Sequence, residues 1–221
     1  MLNNDLYPFL KQLKQNNNRD WFKARKEKFD ELRFSVQDFA GDIFGALLDD
    51  NNLGGHKVFR IYKDVRFSKD KTPYKTHFGI GFHRIKPQFR GGYYLHLEPG
   101  NSFLATGFWQ PNKEDLFRLR KEIEFDHHVF SKMVTQSNLV KLWGNLKGEQ
   151  LKTCPKGFDK EHEAIKYLRY KQFLFHKEIS DDAPFKSDFK DFMIAQFNAV
   201  RPFLDYAGDV LTTDLNGESL L

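Results

Sequence analysis

The apolar residues of this chain change their spacing twice. In its first fifty residues they recur at every third or fourth position, between residues 58 and 109 at every second, and after residue 112 at every third or fourth again. A helix brings positions three and four apart onto one side, whereas a strand sends neighbours to opposite faces, so the two periods predict helices flanking a sheet. Upstream, Leu6, Phe9, Leu10 and Leu13 form one apolar stripe. Phe22, Phe29, Leu32, Val36, Phe39, Ile43 and Leu47 form a second, predicting a helix that starts at Asn18 as N-cap and ends at the Asn51–Gly55 turn.

The period of two then yields four strands. In VFRIYKDVRF (58–67), Phe59, Ile61, Val65 and Phe67 face one way and Arg60, Tyr62, Asp64 and Arg66 the other. THFGIGFHR (76–84) sets Phe78, Ile80 and Phe82 against His77, Gly79, Gly81 and His83; YYLHLEP (93–99) sets Tyr93, Leu95 and Leu97 against Tyr94, His96 and Glu98. SFLATGFW (102–109) follows the Pro99–Gly100 turn. Beyond it, Asn112 can cap a helix with Leu116, Leu119 and Ile123, helices are expected within 126–137 and 161–170, QFLFHKEI (172–179) reads as a short strand, and a last helix runs from Ser187 towards Pro202. The expected fold class is α+β: an antiparallel, about four-stranded meander over 58–109, packed against N- and C-terminal helices in a single domain over 1–221.

A chain of 221 residues can bury roughly 70% of its unfolded surface without metal or disulfide staples. With 24 Phe against 3 Met, aromatic rings fill that core. The one cysteine, Cys154, excludes an intrachain disulfide, and its neighbourhood marks it as a structural thiol. The N-terminus lacks the pattern of a signal peptide and no apolar run reaches membrane-spanning length, so the expectation is a cytoplasmic protein with no membrane partner.

Charge is concentrated. From Lys57 to Arg90 there are ten basic residues and two acids, a net +8, which leaves −3 for the rest of the chain. Such a segment draws in a phosphate- or carboxylate-bearing ligand, or it is a solvated charged hairpin. On the polar strand faces Arg60 and Arg66, with Lys69, Lys71 and Lys75 in the connection SKDKTPYK (68–75) and Tyr94 as a stacking ring, are the candidate ligand contacts. Gly79 and Gly81 share that face, either as a low floor for a ligand or as room for a twist, a bulge or a crossing helix. The connection lacks the glycines of a phosphate-binding loop, which disfavours an NTPase cradle.

The same face supplies acid–base residue types: His77, His96, Glu98 and Asp64 are the candidate catalytic groups. No spacing matches a zinc signature and strand alternation alone does not bring two imidazoles to one ion, so no metal and no cofactor are expected. His127–His128 and Glu161–His162–Glu163 read as surface residues whose neighbours point apart.

Several segments, NNNRDWF (16–22), FRIYKDVRFSKDKTPYKTHFGIGF (59–82), GGYYLHLEPGNSFLATGFWQP (91–111), and PKGF (155–158) followed by HEAIKYLRYKQF, together resemble the conserved hypothetical proteins called domain of unknown function 2461. The likeness runs in order from about residue 5 to about residue 207, with Lys63 where Arg is expected and Glu163 where Pro often follows the histidine. That resemblance implies a bacterial-type cytosolic domain and carries over no catalytic residue. Three functions stay open: a module binding a phosphate-bearing ligand (a nucleic acid or a nucleotide-like metabolite), a structural or interaction protein whose Arg60, Asp64 and Arg66 form internal ion pairs, and an enzyme acting on a phosphorylated or carboxylated substrate.

Overall fold

In the computed structural model, which describes residues 1–214 and 216–221, helix α1 (Leu6–Gln15) buries the expected stripe of Leu6, Phe9, Leu10 and Leu13 together with Tyr7. Asn18 caps the next helix through its side chain, which accepts a hydrogen bond from the Trp21 amide at 2.9 Å. That helix stops early. α2 covers only Arg19–Lys23, and α3 (Lys26–Leu47) begins after a non-helical Arg25 whose guanidinium lies over the Trp21 ring. The break lets Phe22 stack on Tyr74 at 4.0 Å while Phe29 to Leu47 keep the buried stripe of α3.

Five strands form one antiparallel sheet in chain order: β1 (Leu53–Val58), β2 (Phe78–Arg84), β3 (Gly92–Leu97), β4 (Phe103–Phe108) and β5 (Phe173–Glu178). Its register pairs Phe78 with Leu97, Ile80 with Leu95, Leu95 with Leu104, and Phe108 with Phe173, so apolar partners share one face. Four strands were expected within 58–109; the fifth is the short QFLFHKEI segment, which closes on β4.

The first strand is not where alternation predicts it. It lies at 53–58, where a helix-terminating turn is expected, with a register shift between Leu53 and Gly55. Gly54 sits so close to Ile85 that an added Cβ would be 3.2 Å from its side chain, and glycine is what such a bulge tolerates. Residues 59–77, read as strand up to 67, leave the sheet and are tied together by the isolated bridge between Tyr62 and Tyr74. The reason is local competition for backbone donors. Asp64 accepts from the Arg66 amide, Ser68 from the Asp70 amide and Asp70 from the Thr72 amide, so the side chains turn the chain where a ladder would extend it. Ile61 stays buried, but Phe67, assigned to the apolar face, is 97% exposed.

After β4 come α4 (Lys113–Phe125), α5 (His127–Val134), α6 (Ser137–Trp143) and α7 (Ile165–Leu168), then β5 and α8 (Phe189–Thr212). Asn112 caps α4 by accepting from the Asp115 amide. α8 runs ten residues past Pro202, where the sequence suggested an end. Pro202 removes one helical donor, but Phe203, Leu204, Ala207 and Leu211 continue a buried stripe beyond it.

Every aromatic pair that joins a helix to a strand among the described residues falls on one face of the sheet. Phe29 meets Phe78, Phe197 meets Phe82 and Tyr93, and Phe203 meets Phe108 and Phe175. The opposite face carries Tyr94, His96, Phe103 and His176, whose aromatic partners lie on strands or in the 59–77 segment. It is this helix-free face that holds the titratable groups.

Candidate functional site on the helix-free sheet face

Strand register assembles the site. Phe78 pairs with Leu97 and Gly79 with His96, so continuing the ladder by one step sets His77 opposite Glu98. His96 and Glu98 are two apart on one strand and therefore share a face. The outcome is a cluster in which one donor atom from each of His77, His96 and Glu98 lies within 4.8 Å of the others. The His77 and His96 rings are 4.2 Å apart, and Phe103 stacks on the far side of His96 at 4.6 Å and nearly parallel.

The polar atoms of His96 and Glu98 all have partners. His96 Nε2 lies 3.2 Å from Glu98 Oε2 and Nδ1 lies 3.3 Å from Tyr94 Oη. An ionised carboxylate only accepts, so the ring proton sits on Nε2 and Nδ1 accepts from Tyr94. Thr76 Oγ1 donates to Glu98 Oε1 at 2.7 Å and Asn101 Nδ2 to Oε2 at 3.0 Å. Burial pushes the Glu98 carboxyl up, but those donors, His96 and the nearby His77 outweigh it and hold it down at about 2. His77 falls to about 4, first through burial and then through His96, Lys75 and Lys63, against the opposing pull of Glu98. Burial lowers His96 and His176 as well.

This arrangement fixes a pH response of stability. An unfolded His takes up a proton near pH 6.5, while folded His77 stays neutral until about 4. Between those values the unfolded chain binds more protons, so stability falls as pH drops from 6.5 to 4. Glu98 has the same sign in a lower window, since its stabilisation is present above 4.5 and is lost as pH falls towards 2. Urea unfolding of wild type and His77→Asn at pH 7, 6, 5 and 4.5 should show a shallower decline in the variant; parallel curves would contradict the buried neutral imidazole.

The two glycines of β2 neither open a pocket nor admit a helix. A Cβ on Gly79 would lie 2.4 Å from Tyr94 Oη, and one on Gly81 would meet His83 and Phe59. Gly79 thus lets the Tyr94 ring lie flat against the sheet with its hydroxyl directed at His96.

The cations divide into two groups. Arg66 forms a fork on Asp64, with Nη2 2.6 Å from Oδ2 and Nε 2.9 Å from Oδ1. Lys63 holds Asp70 and Thr72, each at 2.7 Å, and Lys71 donates to the Val65 carbonyl. Asp64 is therefore the counter-ion of Arg66 and stands outside the histidine cluster. Among the described residues Lys57, Arg60, Lys69 and Lys75 have no carboxylate within 4 Å, unlike Lys63 and Arg66. The Lys57 and Lys75 amines flank the Phe59 ring, 5.6 and 6.0 Å from its centre. Lys75 is lowered by burial and then by the adjacent charge of Arg60.

Sequence reasoning missed Thr76, Asn101, Phe103 and His176, whose roles depend on register. It also set apart His127 and His128, whose rings are 3.9 Å from one another, and His127 Nε2 meets Glu163 at 3.0 Å. These two open α5. Cys154 is half-buried and its thiol donates to the Pro155 and Phe158 carbonyls. Surface hollows at α1–α3 (Asp5, Phe9, Arg25, Lys28) and α4–α8 (Arg118, Tyr206, Asp214) share no residue with the cluster. No helix of the described residues is long and apolar enough to cross a membrane.

No curated protein and no solved structure shows a significant match to the chain. One family model covers residues 5–206 of the 221, nearly the whole span described above. The chain belongs to the family of conserved hypothetical proteins designated domain of unknown function 2461.

Proposed function

We propose that the helix-free face binds a phosphate-bearing ligand at the edge where Lys57, Arg60 and Lys75 gather around Phe59. The observation that carries this reading is the unpaired state of those cations among the described residues, next to a connection whose Arg66 and Lys63 are neutralised by Asp64 and Asp70. Asp64 acts on Arg60 from beyond 4 Å, but no carboxylate of the described residues contacts the trio, so the like charges repel and an anion relieves that repulsion. Phe59 and Tyr94, 6.2 Å apart, add an aromatic surface on which a base or sugar ring can lie. Of the anion contacts assigned from sequence, this reading keeps Arg60, Lys75 and the Tyr94 ring, sets aside Arg66, Lys69 and Lys71, and adds Lys57. A structural reading has its own observation, the Arg66–Asp64 fork, and it accounts for the connection's tip.

Titrating pyrophosphate and a short single-stranded oligonucleotide tests the site. Arg60→Gln/Lys75→Gln should weaken binding about 10-fold or more, as the loss of one or two charge-assisted contacts implies, while Arg66→Gln/Lys71→Gln should bind like wild type. A steep loss of affinity with salt for the oligonucleotide alone would identify a polyanion as the ligand. Equal weakening in both double variants would contradict the placement.

A further inference from the structure

We propose that His77, His96 and Glu98 form a binding site for one divalent transition-metal ion. This goes beyond the anion reading and uses none of its cations. The geometry is that of a site with three protein ligands. Imidazole nitrogens and carboxylate oxygens bind zinc at roughly 2.0–2.2 Å, which spaces neighbouring donors by roughly 3–3.5 Å. His96 Nε2 and Glu98 Oε2 already stand 3.2 Å apart, and the whole donor set lies within 4.8 Å, so a small rotation of the His77 ring closes it.

The surroundings orient these donors as a metal site needs. Glu98 is held by Thr76 and Asn101, and the His96 ring plane is fixed by stacking on Phe103. When Nε2 takes the ion, the single ring proton moves to Nδ1 and donates to Tyr94 Oη, so the imidazole stays neutral and its outer nitrogen stays bonded. Lys63 and Lys75, close enough to lower His77, oppose a cation there, and the ionised Glu98 offsets them. Two nitrogens and one oxygen favour a borderline ion such as Zn²⁺ or Fe²⁺ over Ca²⁺ or Mg²⁺, which prefer all-oxygen sets. Three protein ligands leave a coordination position for water or a ligand atom, and the site is half-buried on a face that no helix covers.

The second histidine group, His127, His128 and Glu163, would also take up metal, so the test uses chelator-stripped protein with His127→Ala/His128→Ala in the background. Calorimetric titration with zinc chloride should give one equivalent per chain. Glu98→Gln, which keeps shape, and His77→Gln, at the entry to β2, should each weaken it by about 100-fold. Thr76→Val, which touches no ion, should weaken it about 10-fold by releasing Glu98. Circular dichroism and a melt in chelator confirm that each variant is folded. Absence of a tight equivalent in the folded background protein, or one that survives both Glu98→Gln and His77→Gln, would overturn the assignment.

Discussion

Phe197→Ala is expected to lower stability by about 3–5 kcal/mol, the range found when a large ring is removed from a packed core. Phe197 projects from α8, is fully buried, and stands between the two layers of the fold, with Tyr93 at 4.6 Å, Phe82 at 6.1 Å and Trp143 at 6.3 Å. Those neighbours come from two strands and another helix, so local collapse cannot refill the space. In a chain of this length the melting temperature should drop by on the order of 10 °C. The urea midpoint should fall with an unchanged slope, which separates lost stability from an altered unfolded state. A drop under about 1 kcal/mol would mean that α8 and the sheet do not share a rigid core.

Arg84→Met is expected to cost about 3 kcal/mol. The Arg84 side chain is fully buried on the core side of β2, where its guanidinium contacts Asp205 and donates to the Asn51 and Arg90 carbonyls. Asn51 is itself buried, accepting from Tyr93 Oη at 2.5 Å and donating to Asn198 at 2.7 Å. The network thus ties the end of α3, β2, β3 and α8 together. Removing one member of a buried pair typically costs 3–5 kcal/mol, and the low end applies because Asp205 is 39% exposed and stays hydrated. A double-mutant cycle with Asp205→Asn measures the coupling by urea unfolding. Additive costs would show that the Arg84 effect comes from the two carbonyls alone.

Neither effect could be sized from sequence, and the contrast is instructive. The apolar periods located α1, α3, β2, β3 and β4, and the caps at Asn18 and Asn112 were legible because a cap needs only a side chain three residues from its amide. Alternation also put His77, His96 and Glu98 on one face. Their convergence required the β2–β3 register, which no single strand encodes. The apolar alternation of 59–67 was real but was overridden by Asp64, Ser68 and Asp70, whose side chains capture backbone amides between residues 66 and 72. The Asp64–Arg66 fork is one of the internal ion pairs that the structural reading of the sequence named, although a side-chain-to-amide turn and not an extended strand brings the two together. The β1 position was hidden behind two glycines that read as a turn and serve a bulge.

The proposed functional surface is the helix-free face and not the tip of the charged connection. Amide chemical-shift mapping during a pyrophosphate titration tests it most directly. Perturbations should cluster at 57–60, 75–79 and 94–98 and leave 64–72 nearly unchanged. Shifts confined to 64–72, or none at saturating pyrophosphate, would contradict it.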